Sequence, residues 1–155
     1  MTGLIIAGYS DVIYLSSDHA GINLRGRLVR HLALSGYKVR DLGPTACESV
    51  DYPDFGAKLA EALRDDPSAR GIAICGSGIG IGIAANKISG VRAATVHDVT
   101  SAHLAREHNN ANIICFGERL IGPEIARESL VAFLNAEFQG GRHAERVLKI
   151  SDLES

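Results

Sequence analysis

The chain has 155 residues, of which 46% are hydrophobic and 22% are charged, and its formal net charge is −2. A chain of this length most often forms one domain, and its hydrophobic content is enough for a core, so residues 1–155 are interpreted as a single domain. The near-neutral balance, with scattered lysines and arginines, excludes the basic surface typical of a nucleic-acid-binding protein. No apolar run is long enough to span a membrane.

The N-terminal residues and the cysteines indicate the cellular compartment of the protein. Residues 1–11 are interpreted as an extension ahead of the first strand, and they lack the charged start and cleavage site of a secretory signal. The three cysteines, at positions 47, 75 and 115, are odd in number and far apart. This arrangement argues against a disulfide framework and favours a reducing, cytoplasmic location.

Short apolar segments alternate along the chain with helical patterns. Strands are predicted over residues 12–17, 37–43, 71–75, 91–96 and 112–117. Helices are predicted over residues 22–36, 51–66, 100–109, 122–138 and 142–154, with a further helix after the glycine-rich segment that begins at Gly76. Gly36 is the expected C-terminal stop of the helix over residues 22–36. Thr100 or Ser101 is the expected cap of the helix over 100–109, and Pro123 lies near the expected start of the helix over 122–138.

This alternation of strands and helices predicts the fold class. Strands joined by helices form βαβ units with right-handed crossovers and a parallel sheet. The expected fold is α/β, a three-layer α/β/α Rossmann-like sandwich with a five-stranded parallel sheet and C-terminal helices. In such a fold, ligands bind beyond the carboxyl ends of the strands. Asp18 and His19 follow the first strand and are candidates for a site, although Asp18 could also only cap the next helix.

The segment GIAICGSGIGIGIAANK carries glycines at positions 76, 78, 80 and 82, directly after a predicted strand. Glycine lets backbone N–H groups converge on an anion, so Gly76, Gly78 and Gly80 are candidates for an anion cradle. The alternative is a tight turn between strand and helix. The P-loop and dinucleotide-binding patterns are both absent, which gives a nucleotide cofactor little support.

Cys75 ends the strand that precedes these glycines. A thiol facing the start of a helix tends to ionise, and a thiolate can attack a carbonyl or remove a proton beside one. In the second case the nearby N–H groups would hold the enediolate oxygen that forms. The alternative for Cys75 is a buried structural residue, which is also the interpretation of Cys47 and Cys115.

Two pairs of polar residues in the last third of the chain are candidates for a site, and each also has a simple structural explanation. His108 and Asn109 end a predicted helix, where histidine could be an acid or base or only a favourable positive group. Arg142 and Arg146 lie one helical turn apart, which suits a phosphate but is also common on a solvated face. His97, Asp98 and His103 lack a spacing typical of metal ligands.

Several motifs together resemble one family along nearly the whole chain. The segments SDHAG, DYPDF, GIAICGSGIGIGIAANKISGVRAA, AREHNNANI, FGERLIG and GGRHAERV occur in the order found in the RpiB/LacA/LacB family of sugar-phosphate isomerases. The resemblance extends from about residue 12 to residue 150. It implies interconversion of an aldose phosphate and its ketose phosphate, most often ribose 5-phosphate and ribulose 5-phosphate, through a cis-enediolate and without metal or cofactor.

The resemblance also implies roles for individual residues. Cys75 falls on the family's catalytic base, His108 on the histidine that helps to open the sugar ring, and Ser77 on a catalytic hydroxyl. The substrate-binding positions are Asp18, His19, Tyr52, Gly76, Gly78, Ile79, Gly80, Asn109, Arg119, Arg142 and Arg146, with the two C-terminal arginines on the phosphate.

The family further implies a homodimer whose sites are shared between chains, and pairing of dimers into tetramers stays open. Because one chain carries both Cys75 and His108, a self-sufficient homodimer acting on a pentose phosphate is favoured. The alternatives are an isomerase of allose or galactose 6-phosphate, and a phosphate- or nucleotide-binding module without catalysis. Neither a nucleic acid nor a membrane is an expected partner.

Overall fold

The computed structural model describes residues 12–45 and 48–154. The N-terminal extension and Cys47 lie outside the described residues. Five strands form one parallel sheet in the order β2-β1-β3-β5-β4. They are β1 (Val12–Ser17), β2 (Lys38–Asp41), β3 (Arg70–Cys75), β4 (Ala93–Thr95) and β5 (Ile113–Gly117). The five predicted strands are confirmed, although β4 is only three residues long and not six.

Six α-helices accompany the sheet among the described residues. They are α1 (Ile22–Leu34), α2 (Tyr52–Asp65), α3 (Ile79–Ala85), α4 (Val99–Glu107), α5 (Pro123–Asn135) and α6 (Arg142–Ser151). Gly36 has the predicted left-handed conformation after α1, with φ +91°, and Pro123 begins α5. The predicted cap of α4 is wrong: the carboxylate of Asp98 accepts the hydrogen bond from the Ser101 N–H, so Ser101 is a donor within the first turn.

The sheet separates two hydrophobic cores, as the three-layer prediction requires. Alternate strand residues point to opposite faces, so Ile72 and Ile74 face one core whereas Ala73 and Cys75 face the other. Helices α1, α4 and α5 cover the first face, and α2 and α3 cover the second. The fold prediction is therefore confirmed. The thiol of Cys75 lies on the α2/α3 side of the sheet.

The direction of the strands defines two edges that matter for the site. All five strands run the same way, so their carboxyl ends form one edge and their amino ends the other. Each crossover helix returns the chain to the amino edge, which is where α4 ends and β5 begins. From β1 the chain first adds β2 on one side and then crosses to add β3 on the other side, so the order of strands reverses between β1 and β3. Crevices for ligands form at such a switch point.

Candidate active site

The glycine-rich loop after β3 places backbone donors around the Cys75 thiol. Cys75 is buried, and the Gly78 N–H donates to its Sγ over 3.1 Å. The next N–H, of Ile79, donates to the Ser77 hydroxyl oxygen over 3.2 Å. Gly78 has φ +76°, a left-handed conformation that favours glycine. The loop therefore presents a thiol, a hydroxyl and turned backbone donors in one place.

Close packing holds this loop in its conformation. A Cβ on Gly78 would lie 2.8 Å from the carbonyl carbon of Phe116, and one on Gly117 would lie 2.4 Å from the carbonyl carbon of Ser77. On the other side, the Thr95 hydroxyl donates to the Gly78 carbonyl oxygen over 2.9 Å. Thr95 is a supporting residue that sequence reasoning missed, and its only signal was a hydroxyl at the end of an apolar strand.

The loop after β1 reaches the same edge of the sheet. Asp18 is buried, its N–H donates to the Ile74 carbonyl over 3.1 Å, and its carboxylate accepts from the Ala20 N–H over 2.9 Å. Asp18 thus does cap a short 3-10 turn, His19–Gly21, while lying beside the end of β3. His19 is exposed, and its Nδ1 lies 3.1 Å from both the N–H and the carbonyl oxygen of Val50.

Two further predicted residues close around the glycine loop. The Tyr52 ring, at the first residue of α2, packs on Gly80 so closely that a Cβ there would lie 2.5 Å from it. The Arg119 N–H donates to the Gly76 carbonyl over 3.1 Å, and its guanidinium would lie 3.0 Å from a Cβ on Gly76. We call this set the cysteine half-site, and its members are Asp18, His19, Tyr52, Cys75, Gly76, Ser77, Gly78, Ile79, Gly80 and Arg119.

The remaining predicted residues assemble at the opposite edge. His108 caps the C-terminus of α4, and its ring stacks on that of His143 at a centroid distance of 4.2 Å and an angle of 10°. Asn109, Arg142 and Arg146 are exposed nearby on the same helix ends. We call the set of His108, Asn109, Arg142 and Arg146 the histidine half-site.

The two half-sites do not meet within one chain. Asn112, four residues after His108, donates from its N–H to the Arg92 carbonyl ahead of β4, and its own carbonyl accepts from Gly71 near the start of β3. These bonds place the end of α4 at the amino edge. β3 has six residues, so the length of a strand, roughly 20 Å, separates the two edges.

His143 is the other residue that sequence reasoning missed. It is 8% exposed, and burial lowers its pKa, as do His108, Arg142 and Arg146, while Glu107 acts in the opposite direction. The signal was present in the motif GGRHAERV, where His143 lies between the two arginines. The sequence alone did not indicate that its ring would meet His108.

Other titratable residues have structural partners. Cys115 is fully buried in β5, and burial, reinforced by Cys75, raises its pKa to about 12, so it stays a neutral thiol, as its structural interpretation requires. The His103 ring nitrogen contacts the Glu107 carboxylate on α4. Within residues 12–45 and 48–154, no group of three or more histidine, cysteine, aspartate or glutamate side chains could hold a metal ion. No helix in these ranges is long and apolar enough to cross a membrane.

The cysteine half-site has the parts that proton transfer beside a carbonyl needs. A thiolate can take the proton, and turned N–H groups can hold the negative oxygen that results. The histidine half-site has an imidazole, which moves protons near neutral pH, and two guanidinium groups, which suit a phosphate. Together they have the chemistry for enolisation of a phosphorylated sugar, provided that the two edges of different chains come together.

Comparison with known proteins identifies the family. The family model described as Ribose/Galactose Isomerase matches residues 13–150. The chain is 45% identical to the D-erythrulose-4-phosphate isomerase of Pectobacterium atrosepticum, over 92% of this chain and 94% of that protein. Its structure is similar to ribose-5-phosphate isomerase B of Clostridium thermocellum, with a TM-score of 0.90, 50% identity, and coverage of 92% of this chain and 96% of that one.

A second solved structure carries a ligand. Ribose-5-phosphate isomerase B of Mycoplasma genitalium, with bound ribulose-5-phosphate, matches with a TM-score of 0.88 and 39% identity, over 91% of this chain and 94% of that one. The family model, the curated relative and both structures span nearly all of the described chain. The protein whose thiol, glycine loop and paired histidines are described above belongs to the ribose/galactose isomerase family.

Proposed function

We propose that this protein interconverts D-ribose 5-phosphate and D-ribulose 5-phosphate, with the whole chain acting as one domain. Its membership of the isomerase family and its likeness to ribose-5-phosphate isomerases B support this activity. The observation that carries the proposal is the 3.1 Å contact between the Gly78 N–H and the Cys75 thiol within a buried, closely packed loop. In the proposal, the thiol of this contact is the base and the N–H is an anion-stabilising donor beside it.

In the proposed mechanism His108 first opens the furanose ring. It moves a proton between the hydroxyl on C1 and the ring oxygen, so that the C1–O bond to the ring breaks and an aldehyde forms. Cys75, as the thiolate, then removes the proton from C2, and the electron pair of that bond forms the cis-enediolate. The same thiol returns the proton to C1 while a proton moves from O2 to O1, which leaves the ketose.

The negative oxygen of the enediolate needs donors that are already oriented. In the proposal the N–H groups of Gly76 to Gly80 and the Ser77 hydroxyl supply them. Asp18, His19 and Tyr52 bind the sugar hydroxyls from the cysteine half-site, and Arg119 closes over Gly76. Asn109 binds the sugar from the histidine half-site, where Arg142 and Arg146 hold the phosphate. No metal or cofactor takes part in these steps.

The separation of the half-sites leads to a proposal about assembly. Since about one strand length separates Cys75 from His108 in one chain, the substrate can contact both only if a second copy brings its histidine half-site to the first chain. We therefore propose a homodimer with two shared sites. Pairing of such dimers into tetramers would leave this arrangement unchanged.

Mixing two inactive variants tests the shared site. Cys75→Ala and His108→Asn each disable one half-site, so a heterodimer of the two has one intact site and one site without either group. Refolding a one-to-one mixture should restore about a quarter of the wild-type rate, because half of the dimers are mixed and half of their sites are intact. The double variant, treated identically, is the control. Absence of recovery in the mixture would contradict the shared site.

A substrate panel tests the reaction itself. Ribose 5-phosphate, allose 6-phosphate, galactose 6-phosphate and erythrose 4-phosphate are assayed under the same conditions, and the highest kcat/KM is expected for ribose 5-phosphate. A hexose phosphate with a higher value would establish the hexose alternative. No turnover of any of them, together with tight phosphate binding, would establish the binding module without catalysis.

A cytoplasmic location is part of the proposal. The two described cysteines, Cys75 and Cys115, are both free and buried. A thiolate base is protected from oxidation where thiols stay reduced, and the cytoplasm provides that condition. Fractionation of the native host, with the enzyme detected by its isomerase activity, would test the location.

A further inference from the structure

The ring of His143 covers one face of the His108 ring. The two rings are nearly parallel, at 10°, and their centroids are 4.2 Å apart. Their backbones belong to different elements, since His108 caps α4 and His143 lies in the first turn of α6. The chain between them is tied to α4 by the hydrogen bond from the Gln139 N–H to the Glu107 carbonyl, over 3.0 Å. The stack therefore joins two helix ends whose separation the backbone already fixes.

The charges around His143 disfavour its protonation. From α6 it faces Arg142 and Arg146, and from α4 it faces His108 and Glu107. The Glu107 carboxylate, the one group that would favour a charge, is engaged by His103 and by the Gln139 side chain. The first turn of α6 adds the positive end of the helix dipole. Burial and these cations lower the pKa of His143, so its ring is a neutral aromatic surface near pH 7.

We propose that His143 is the positioning residue for His108: it holds the ring of the proposed ring-opening histidine by stacking, as an uncharged partner. This inference rests on the proposed function of His108. A free imidazole on an exposed helix end would rotate about two side-chain torsions, and a small misplacement of a proton-transfer group costs a large factor in rate. The stack leaves the ring nitrogens at the edge, where they can meet the substrate.

Two other roles for His143 make different demands on its chemistry. A direct hydrogen bond to the phosphate, beside Arg142 and Arg146, would need a ring N–H. A role as simple filler beneath α6 would need only volume. Stacking needs a flat, neutral ring and no N–H, so phenylalanine can replace histidine in the proposed role but not in a phosphate contact.

The test compares His143→Phe with His143→Ala in the full-length enzyme. Each variant is assayed with ribose 5-phosphate, whose ring must open, and with erythrose 4-phosphate, which cannot form a furanose because its O4 carries the phosphate. His143→Ala should lower kcat on ribose 5-phosphate about 10- to 100-fold with little change in KM, and should change turnover of erythrose 4-phosphate much less. His143→Phe should stay within a few-fold of wild type on both.

Nuclear magnetic resonance supplies a readout that does not need activity. The His108 ring protons, in the protein labelled at histidine, should show the upfield shift of a stacked ring in the wild type and in His143→Phe, and should lose it in His143→Ala. The His108→Asn variant identifies the resonances. If the wild type does not isomerise any sugar phosphate, the proposed function fails, and these shifts still decide whether the two rings stack in solution.

Three results would overturn the inference. The first is a wild-type kcat on ribose 5-phosphate in His143→Ala. The second is a His143→Phe variant as impaired as His143→Ala, especially through a raised KM on both substrates, which would indicate a phosphate contact. The third is unchanged His108 ring shifts in His143→Ala. If His143→Ala does not fold, His143→Leu replaces it, because leucine fills the space beneath α6 without a flat ring. Stacking predicts that His143→Phe keeps kcat and His143→Leu loses it, a filler predicts that both keep it, and a phosphate contact predicts that both fail.

Discussion

The two half-sites are built from different parts of the protein. The centre of the cysteine half-site is the backbone of the glycine loop, held between strand ends whose atoms approach too closely for any side chain at Gly78 or Gly117. The histidine half-site consists of side chains on the ends of α4 and α6, most of them exposed. A backbone site has fixed donors and no alternative conformations, whereas a side-chain site needs additional contacts, such as the histidine stack, to gain order. Substitutions should therefore affect the two half-sites in different ways and to different degrees.

The largest effect is expected for Cys75→Ala. Removal of the proposed base should lower kcat by about 100- to 10,000-fold, while the affinity for ribose 5-phosphate, measured by calorimetry, changes little. The Cys115→Ala variant is the matched control, because it removes the neighbouring buried thiol on the same face of the sheet. A Cys75→Ala variant with kcat near that of wild type would refute the base assignment.

The next largest effect tests the backbone of the cysteine half-site. Gly78→Ala introduces a Cβ 2.8 Å from the Phe116 backbone, which must displace the N–H that points at Cys75. Loss of one oriented donor should lower kcat by about 100- to 1,000-fold. Gly90→Ala is the control, since Gly90 has a similar φ of +84° but open space around it. Equal kcat in both variants would contradict the role of the Gly78 donor.

In the histidine half-site, His108→Asn should separate ring opening from proton abstraction. We expect about a 100-fold loss of kcat on ribose 5-phosphate, the scale of one proton-transfer group, and a much smaller loss on the acyclic erythrose 4-phosphate. The comparison requires that wild type turns over both substrates. Equal losses on the two would assign His108 to a step other than ring opening.

The smallest effects are expected for the exposed arginines. The phosphate does not react, so its contacts are similar in the ground and transition states, and their loss should mainly raise KM. Arg142→Ala and Arg146→Ala should each raise KM about 10- to 150-fold, the equivalent of about 1.5–3 kcal/mol for a charge-assisted hydrogen bond. Lys149→Ala, on the same helix, should leave KM unchanged. An unchanged kcat/KM in both arginine variants would place them on a solvated surface.

The sequence was sufficient for the fold because its signals were local. Residues 71–75 are all buried in β3, and their sequence GIAIC has no charged or polar side chain before the thiol, which predicts a central strand. Gly36 and Pro123 mark the ends of helices through their own backbone preferences. The length of β4 was overestimated. Val91 and Arg92 belong to the predicted strand, but in the structure they precede Ala93, the first residue of the ladder with β5. Such ends depend on neighbouring strands and not on the segment itself.

The site was predictable only in part, because its parts depend on tertiary structure. Cys75 and the glycines follow a strand, so the carboxyl-edge rule was enough to group them with Asp18. The same rule implies that His108, which ends a helix before β5, lies at the other edge. The supporting hydroxyl of Thr95 and the stacking ring of His143 have no such local signal. Both act through contacts between elements that are distant in sequence.

The packing of Tyr52 on Gly80 gives the protein a built-in optical reporter. The chain contains no tryptophan and four tyrosines, so its ultraviolet emission comes from phenol rings alone. Tyr52 is 42% exposed and lies directly on the loop that would receive the enediolate oxygen. We expect an anion entering that loop to change the solvation of this phenol, and Tyr52→Phe to remove its share of the signal. Occupancy of the cysteine half-site can thus be followed in real time without a label or a coupled enzyme.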